Sequence, residues 1–196
     1  MRPKLARTVV RFVVIFAVVL CALAVGWPHV APAYTTAVAT LARPVLRAVE
    51  APNVTVLDAR GDELGVYRIV GENRIAPVVV FDRYLFFAVV LLVALFAATP
   101  GLGVRRRVAR TVAGLGLLLV LHVAYLVASV ELVYAVAAGR AVGGWQVAVR
   151  VLWEAAPILI WVVLTAGAWK RVLAASRAEG IEGSESPIAG PIGAEG

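Results

Sequence analysis

The sequence predicts an all-α polytopic membrane protein with four transmembrane helices, a small extracytoplasmic β-hairpin and an amphipathic helix. Hydrophobic residues make up 62% of the 196-residue chain, and the mean hydropathy is +0.90. A soluble domain has an apolar share of roughly 45–50%. Several apolar runs approach the roughly 20 residues that a helix needs to cross a bilayer. The chain therefore belongs to the class of small membrane proteins.

Basic residues gather beside the apolar runs in three short clusters: Arg2, Lys4, Arg7 and Arg11; Arg105, Arg106, Arg107 and Arg110; and Lys170, Arg171 and Arg177. Such clusters are typical of the cytoplasmic ends of membrane spans. No aromatic residues interleave with them, as a nucleic-acid surface would require. The positive-inside rule then places both chain ends in the cytoplasm.

Four segments follow from the shifts in composition. They are a signal anchor with the first span (1–27), an extracytoplasmic segment (28–83), a membrane domain with three further spans (84–170) and a disordered cytosolic tail (171–196). The first apolar run is either a retained anchor or a cleaved signal peptide. Ala31-Pro32-Ala33 resembles a cleavage site, but the apolar core is longer than a secretory signal usually needs, which favours the anchor.

The extracytoplasmic segment begins with apolar residues at helical spacing between residues 32 and 50. This pattern predicts an amphipathic helix, kinked or restarted at Pro44. It lies either on the outer membrane face or against the neighbouring spans. A loop over residues 71–83 then returns the chain to the bilayer.

Residues 54–70 alternate around Gly61-Asp62, which suits a two-residue hairpin turn. The predicted register pairs Arg60 with Glu63, Ala59 with Leu64, Leu57 with Val66, and Val56 with Tyr67. One face of the hairpin is then apolar and consists of Leu57, Ala59, Leu64 and Val66. Because a lone hairpin is marginally stable in water, this face needs cover from the amphipathic helix, the membrane or a partner.

The remaining spans are predicted at 84–99, 111–138 and 145–169, with a basic loop at 105–110 and a tight turn at 139–144. Four ionisable residues interrupt the last two spans: His122, Glu131, Arg150 and Glu154. Intramembrane charges are costly and are expected to pair. Glu131 and Arg150 are about equally distant from Arg140 along the chain, and Arg150 and Glu154 share a helical face.

The sequence therefore predicts a Glu131–Arg150–Glu154 cluster. It is either an interhelical clamp or a polar floor that binds a substrate or partner. His122 is interpreted as a hydrogen-bonded packing residue. The single cysteine, Cys21, lies among aliphatic residues and is interpreted as packing. The sequence predicts no catalytic set, no metal site and no cofactor.

Several segments together carry a resemblance: Val54 through Gly61, Leu64, Val66, Tyr84–Pro100, Arg105–Arg107 and Leu117–Val127. Their order, following the amphipathic helix, resembles the core of the exosortases and archaeosortases. These are membrane-embedded enzymes thought to cleave and transfer proteins that carry a C-terminal sorting signal. The resemblance covers residues 33–169.

The chemistry of that family uses a cysteine after the hairpin, an arginine in a later span and a histidine near the start of the last span. Here residues 71–83 contain no cysteine, and the arginine position falls at His122–Tyr125. The last span begins with Trp145 and contains no histidine. The resemblance therefore implies a catalytically silent relative, similar also to the exosortase H-associated membrane proteins.

From this resemblance we expect a non-catalytic inner-membrane accessory protein of an exosortase-type sorting system, with the hairpin as its docking element. Its expected partners are the lipid bilayer and an exosortase-type membrane protein, and no nucleic acid. One alternative is an unrecognised membrane enzyme or ligand-binding protein that uses Glu131, Arg150 and Glu154. Another is a small scaffold or transporter subunit. The oligomeric state is left open.

Overall fold

A computed structural model of the chain contains four α-helices and one three-stranded antiparallel sheet. It describes residues 3–49, 55–60, 63–70, 74–81, 87–139, 141 and 144–182. The elements in chain order are α1 (Pro3–Val49), β1 (Thr55–Arg60), β2 (Glu63–Val70), β3 (Arg74–Phe81), α2 (Phe87–Ala98), α3 (Val104–Ala137) and α4 (Gly144–Glu182).

Three of the helices, α1, α3 and α4, are long and apolar enough to cross a membrane. Helix α2 has 12 described residues and a length of about 18 Å, against a bilayer core of about 30 Å. The predicted span at 84–99 is thus described in part, because residues 82–86 lie outside the described residues. The fold is mostly helical, as the composition predicted.

Helix α1 is a single helix of 47 residues, although the sequence predicted a span and a separate amphipathic helix. It continues past Pro28, Pro32 and Pro44. A stripe of buried side chains at helical spacing runs across the proline positions: Trp27, Ala31, Thr35, Val38, Ala42 and Leu46. This unbroken stripe packs on α2 and the sheet and explains why the helix does not restart. Cys21, predicted to be packed, is exposed on α1.

The first two strands form the predicted hairpin in the predicted register. Arg60 pairs with Glu63, Ala59 with Leu64, Leu57 with Val66 and Val56 with Tyr67. The predicted turn at residues 61–62 lies outside the described residues. Alternation of apolar side chains therefore sufficed to pair these strands correctly.

The third strand, β3, was missed, because residues 71–83 were predicted to be a loop. It pairs antiparallel with β2, with a register shift between Val66 and Tyr67. Val66 pairs with Val79 and Tyr67 with Pro77, so Val78 is the additional residue of a bulge. The strand order β1-β2-β3 makes β3 an edge strand, where a proline is tolerated.

Helix α2 lies at the centre of the bundle and packs against α1, α3 and α4. Seven of its 12 residues are buried: Val89, Val90, Leu92, Ala94, Leu95, Phe96 and Ala98. A helix that is apolar on all sides is typical of such an enclosed position. Its buried residues share one core with those of α1, α3, α4 and the sheet.

Two connections differ from the predicted boundaries. Helix α3 begins at Val104, directly after Gly103, so the predicted basic loop at 105–110 is helical. Gly101 before it has a φ of 72°, which favours glycine in that turn. Helix α4 continues to Glu182, so residues 171–182 of the predicted disordered tail are helical. Residues 183–196 lie outside the described residues.

Candidate functional site

A buried histidine lies between helices α1, α3 and α4. His122 is on α3, and its Nδ1 forms a hydrogen bond with the phenol oxygen of Tyr34 on α1. The phenol donates this bond when the ring proton of His122 is on Nε2. The hydrogen bond gives polar partners to two groups inside an apolar core, where an unmade bond is costly.

Aromatic rings surround this pair. The ring centroids of His122 and Trp153 are 3.9 Å apart with an interplanar angle of 38°. Tyr125 packs on Trp153 with centroids 5.3 Å apart, and Trp27 packs on Tyr34 with centroids 6.1 Å apart. Five rings from three helices thus hold one another in place. This arrangement fits the interpretation of His122 as a hydrogen-bonded packing residue.

A second polar group lies near the other end of the bundle, at Thr99. Its hydroxyl accepts a hydrogen bond of 2.8 Å from the indole N–H of Trp161 and donates one of 2.7 Å to the carbonyl of Leu95. The carbonyl of Thr99 accepts a bond of 3.2 Å from Nη2 of Arg107. These bonds join the end of α2 to the first turn of α3 and to α4.

Described members of the three basic clusters, Arg11, Arg107 and Lys170, lie at this same end of the bundle. Phe12 of α1 packs on Trp161 and Trp169 of α4, with ring centroids 5.8 and 5.6 Å apart. Phe12 follows Arg11 in the chain, and Trp169 precedes Lys170. A shallow groove of about 460 Å³ beside Phe12 is lined by Ala6, Arg7, Val10, Arg11, Val14 and Ile15. We call this region the basic end.

The predicted charge cluster is not assembled as a unit. Glu131 is half-buried on α3, whereas Arg150 and Glu154 are exposed on α4. Among the described residues, no ion pair joins any two of these three side chains. The residues therefore do not form the interhelical clamp that the sequence suggested.

The physical reason is the alignment of the two helices. Trp153 lies level with His122, so Arg150 lies level with Tyr125 on the antiparallel neighbour. Tyr125 is six residues, or about 9 Å, along the helix from Glu131. Trp153 occupies the inward face of α4, which turns the flanking charges outward.

The apolar face of the hairpin lies inside the chain. Leu57, Leu64 and Val66 are buried, Ala59 is packed against the same core, and this core includes Val38, Ala42 and Leu46 of α1. The sequence allowed three ways to bury this face: the amphipathic helix, the membrane or a partner. In the structure, α1 covers it. These four hairpin residues do not offer a surface to a partner.

The opposite face of the sheet, which we call the outer face, carries Val56, Asp58, Gly65 and Tyr67. Val56 is 39% exposed, whereas Val66 on the inner face is 0% exposed. The ring of Tyr67 lies over Gly65, where a Cβ atom would clash with ring carbon Cε2. Glycine is thus required for the tyrosine to lie flat on the strand.

Sequence reasoning missed Tyr34 as the partner of His122, because the two residues are 88 positions apart and no motif relates them. Among the described residues, no group of three His, Cys, Asp or Glu side chains is placed to hold a metal ion. No protein-family model, curated protein or solved structure matches the chain.

Proposed function

We propose that this chain is a non-catalytic inner-membrane accessory protein of an exosortase-type protein-sorting system. In this proposal the helices cross the inner membrane with both chain ends in the cytoplasm, and the outer face of the sheet docks on the sorting enzyme. The three long apolar helices, and the position of Arg11, Arg107 and Lys170 at one end of the bundle, support the membrane arrangement. The order of segments from Val54 to Val127 supports the family context.

One observation carries the docking role. The sheet is anchored through its inner face on α1, so its outer face is presented away from the core. That face combines a partly exposed valine with a tyrosine ring lying flat over a glycine. Tyrosine offers a rigid contact surface at low entropic cost, which is why it is enriched at interfaces. Strand β1 is also an edge strand of the sheet, the position at which strand addition takes place.

Hydroxyl and imidazole groups inside the bundle are engaged in structural bonds, which favours the non-catalytic role. The hydroxyl of Ser129 donates to the carbonyl of Tyr125 at 2.8 Å, and the hydroxyl of Thr165 donates to that of Trp161 at 2.7 Å. His122 bonds Tyr34. A nucleophile needs an activating base within hydrogen-bond reach. These hydroxyl and imidazole groups instead bond helix carbonyls or each other.

The test is site-specific crosslinking in native membranes. A photoreactive residue replaces Val56 on the outer face, and the matched control replaces Val66, its near neighbour on the inner face. We expect the Val56 probe to capture an exosortase-type membrane enzyme and the Val66 probe to capture only the protein itself. Capture of nothing but lipid and the protein itself from Val56 would contradict the docking role.

A second variant tests the same surface without a probe. In G65A the new methyl group displaces the Tyr67 ring from the strand, while the inner face keeps its contacts. We expect G65A to lower co-purification with the sorting enzyme and to leave thermal stability nearly unchanged. Unchanged co-purification would show that the outer face is not the docking surface.

A reporter fused after Gly196 that is active only outside the cytoplasm would refute the proposed orientation.

A further inference from the structure

Two arginines of the basic end differ from their neighbours in burial. Arg107 and Arg110 on α3 are half-buried, whereas Arg105 and Arg106 are exposed. The two half-buried residues precede Gly114, a buried residue of the same helix, by seven and four positions. Residues at this spacing share one side of a helix. The side chains of Arg107 and Arg110 therefore leave α3 on the side that faces the other helices.

These two arginines have N–H donors without an acceptor. Nη2 of Arg107 donates to the carbonyl of Thr99 at 3.2 Å, but its Nε is buried and has no hydrogen-bond partner. Nη1 of Arg110 is buried in the same way, and Arg110 forms no hydrogen bond or ion pair within the described part of the chain. An arginine side chain can only donate, and a covered donor without an acceptor is costly. Because both side chains are partly exposed, an acceptor from outside the chain can reach them.

A further donor lies at a similar height on α4. The indole N–H of Trp169 is buried and has no acceptor among the described residues. Trp153 of α4 packs on His122 of α3, and in this antiparallel pair the alignment places Trp169 level with Arg106. With a rise of about 1.5 Å per residue, Trp169 is within about 2 Å of the height of Arg107. Two packed helices thus carry three unpaired N–H donors within about one helical turn of height.

In a membrane-spanning arrangement these donors lie at the depth of the lipid phosphates. Residues 111–130, which follow Arg110, contain no Asp, Glu, Lys or Arg. A helix over this range is about 30 Å long, which is about the thickness of the hydrocarbon core. Arg110 therefore stands where the hydrocarbon core ends and the phosphate groups of the cytoplasmic leaflet begin.

The sequence places no acid beside these bases. Residues 3–12, 99–112 and 165–178 contain arginine and lysine but no Asp or Glu. A lipid headgroup with a net negative charge is attracted to such a surface, whereas the ammonium group of a choline lipid is repelled. Guanidinium groups also bind phosphate oxygens through two parallel N–H bonds.

We propose that Arg107 and Arg110 bind the phosphate of an anionic phospholipid at the cytoplasmic surface of the membrane, with the indole of Trp169 as a further donor. The phosphate oxygens accept N–H bonds that the described chain leaves unmade. Basic pockets between membrane helices at the cytoplasmic side are suited to such headgroups. The inference rests on the proposed membrane-spanning arrangement and is independent of the docking role.

Lipid titration of the purified protein tests the site. The protein is held in an uncharged detergent, dioctanoyl phosphatidylglycerol is added, and native mass spectrometry counts the bound lipid. R110Q removes a base that bonds nothing in the described chain. The matched control R105Q removes an exposed base about 140° around the same helix.

The two variants are expected to differ in affinity for the lipid. R110Q should weaken binding by about tenfold or more, because a charge-assisted hydrogen bond is lost. R105Q should weaken it by about threefold or less, because an exposed charge contributes little. Equal loss in both variants would overturn the site, since a diffuse attraction does not distinguish the two positions.

Two further titrations identify the ligand. Dioctanoyl phosphatidylcholine tests the need for a net negative headgroup, and free glycerol phosphate tests the need for a lipid. We expect neither to bind at the concentration at which phosphatidylglycerol saturates the protein. Equal affinity for phosphatidylcholine would overturn the anionic specificity. Equal affinity for glycerol phosphate would show a site for a free anion and overturn the lipid assignment.

Tryptophan quenching in vesicles gives an independent measurement. The vesicles consist of phosphatidylcholine with a minor fraction of phosphatidylglycerol whose acyl chains are brominated and quench nearby indoles. We expect more quenching than from the same fraction of brominated phosphatidylcholine, and this excess should fall in W169F and R110Q but not in R105Q. An excess that is absent, or that R110Q leaves unchanged, would overturn the proposal. Far-ultraviolet circular dichroism of each variant confirms that its helices are formed.

The lipid measurements separate this site from the docking role. They use the purified protein without a sorting enzyme, so a failure to bind lipid leaves the docking role standing. The docking variant G65A should keep its affinity for phosphatidylglycerol, and R110Q should keep its co-purification with the sorting enzyme. A failure of either proposal is thus distinguished from a failure of the other.

Discussion

Replacement of Gly114 by alanine should destabilise the bundle, because this glycine lets α3 lie close to α2 and α4. A Cβ atom at residue 114 would be 2.7 Å from Cε2 and 3.1 Å from Cζ of Phe96. It would also be 3.4 Å from Cγ2 of Ile160. Phe96 is completely buried, so its ring cannot turn into open space to make room.

The magnitude follows from the distances. Carbon atoms in contact are normally about 3.5–4.0 Å apart, so the ring edge or the helix must move by about 1 Å. Overpacking of this kind typically costs about 1–3 kcal/mol. Gly116 is the matched control, since a Cβ atom there meets no atom within 4 Å. The gain in helix propensity from glycine to alanine is common to both, so G114A should be about 1–3 kcal/mol less stable than G116A.

The assay compares the two variants and the unmodified protein in one mild detergent. Sodium dodecyl sulfate is added in steps, and unfolding is followed by tryptophan fluorescence and circular dichroism. We expect the unfolding midpoint of G114A to fall and that of G116A to stay the same or rise. Equal midpoints for the two variants would refute the close approach of Gly114 to Phe96.

A double-mutant cycle locates the effect on the ring. F96L removes the ring edge that the new methyl group would strike. G114A should therefore cost less in the F96L background than in the unmodified protein. Additive effects would mean that the clash lies elsewhere, because residues in contact couple and distant ones do not.

The other predictions concern a hydrogen bond and a buried strand residue. T99V removes the acceptor for the indole N–H of Trp161 and should cost about 1–3 kcal/mol by the same unfolding assay. T111V, whose hydroxyl bonds only a carbonyl in its own helix, is the control, and equal loss in both would contradict a special role for the Thr99 contact. L64A should cost about 2–5 kcal/mol, because Leu64 is fully buried. V56A on the outer face should cost about 0.5 kcal/mol or less, and a larger loss would place Val56 in the core.

The hairpin was predictable because the residues that determine its pairing are close together in the sequence. Alternation around a turn determines both the register and the face, and the register of β1 and β2 agreed at every predicted pair. Strand β3 was not predictable in the same way. Its apolar run, Pro77 to Phe81, precedes another apolar segment, and a short apolar run does not distinguish a strand from the start of a helix.

The charged residues of α4 show a different limit. Helical spacing correctly placed Arg150 and Glu154 on one face, and both are exposed. Spacing does not tell which face points inward, and Trp153 takes that position by packing on His122. The bond from Tyr34 to His122 depends on how three helices are arranged, so no local pattern could predict it. The spacing of residues thus predicted which side chains share a helical face. The packing of the helices determined which face points into the bundle.

Helix α1 connects the sheet to the basic end of the bundle. Phe12 packs on Trp169 at one end, and Leu46 lies under the sheet at the other, 34 residues or about 51 Å away. A tilt of about 5° around Phe12 would move the sheet by about 4 Å. A repacking of these rings that tilted α1 would therefore displace the outer face, far from where the change began.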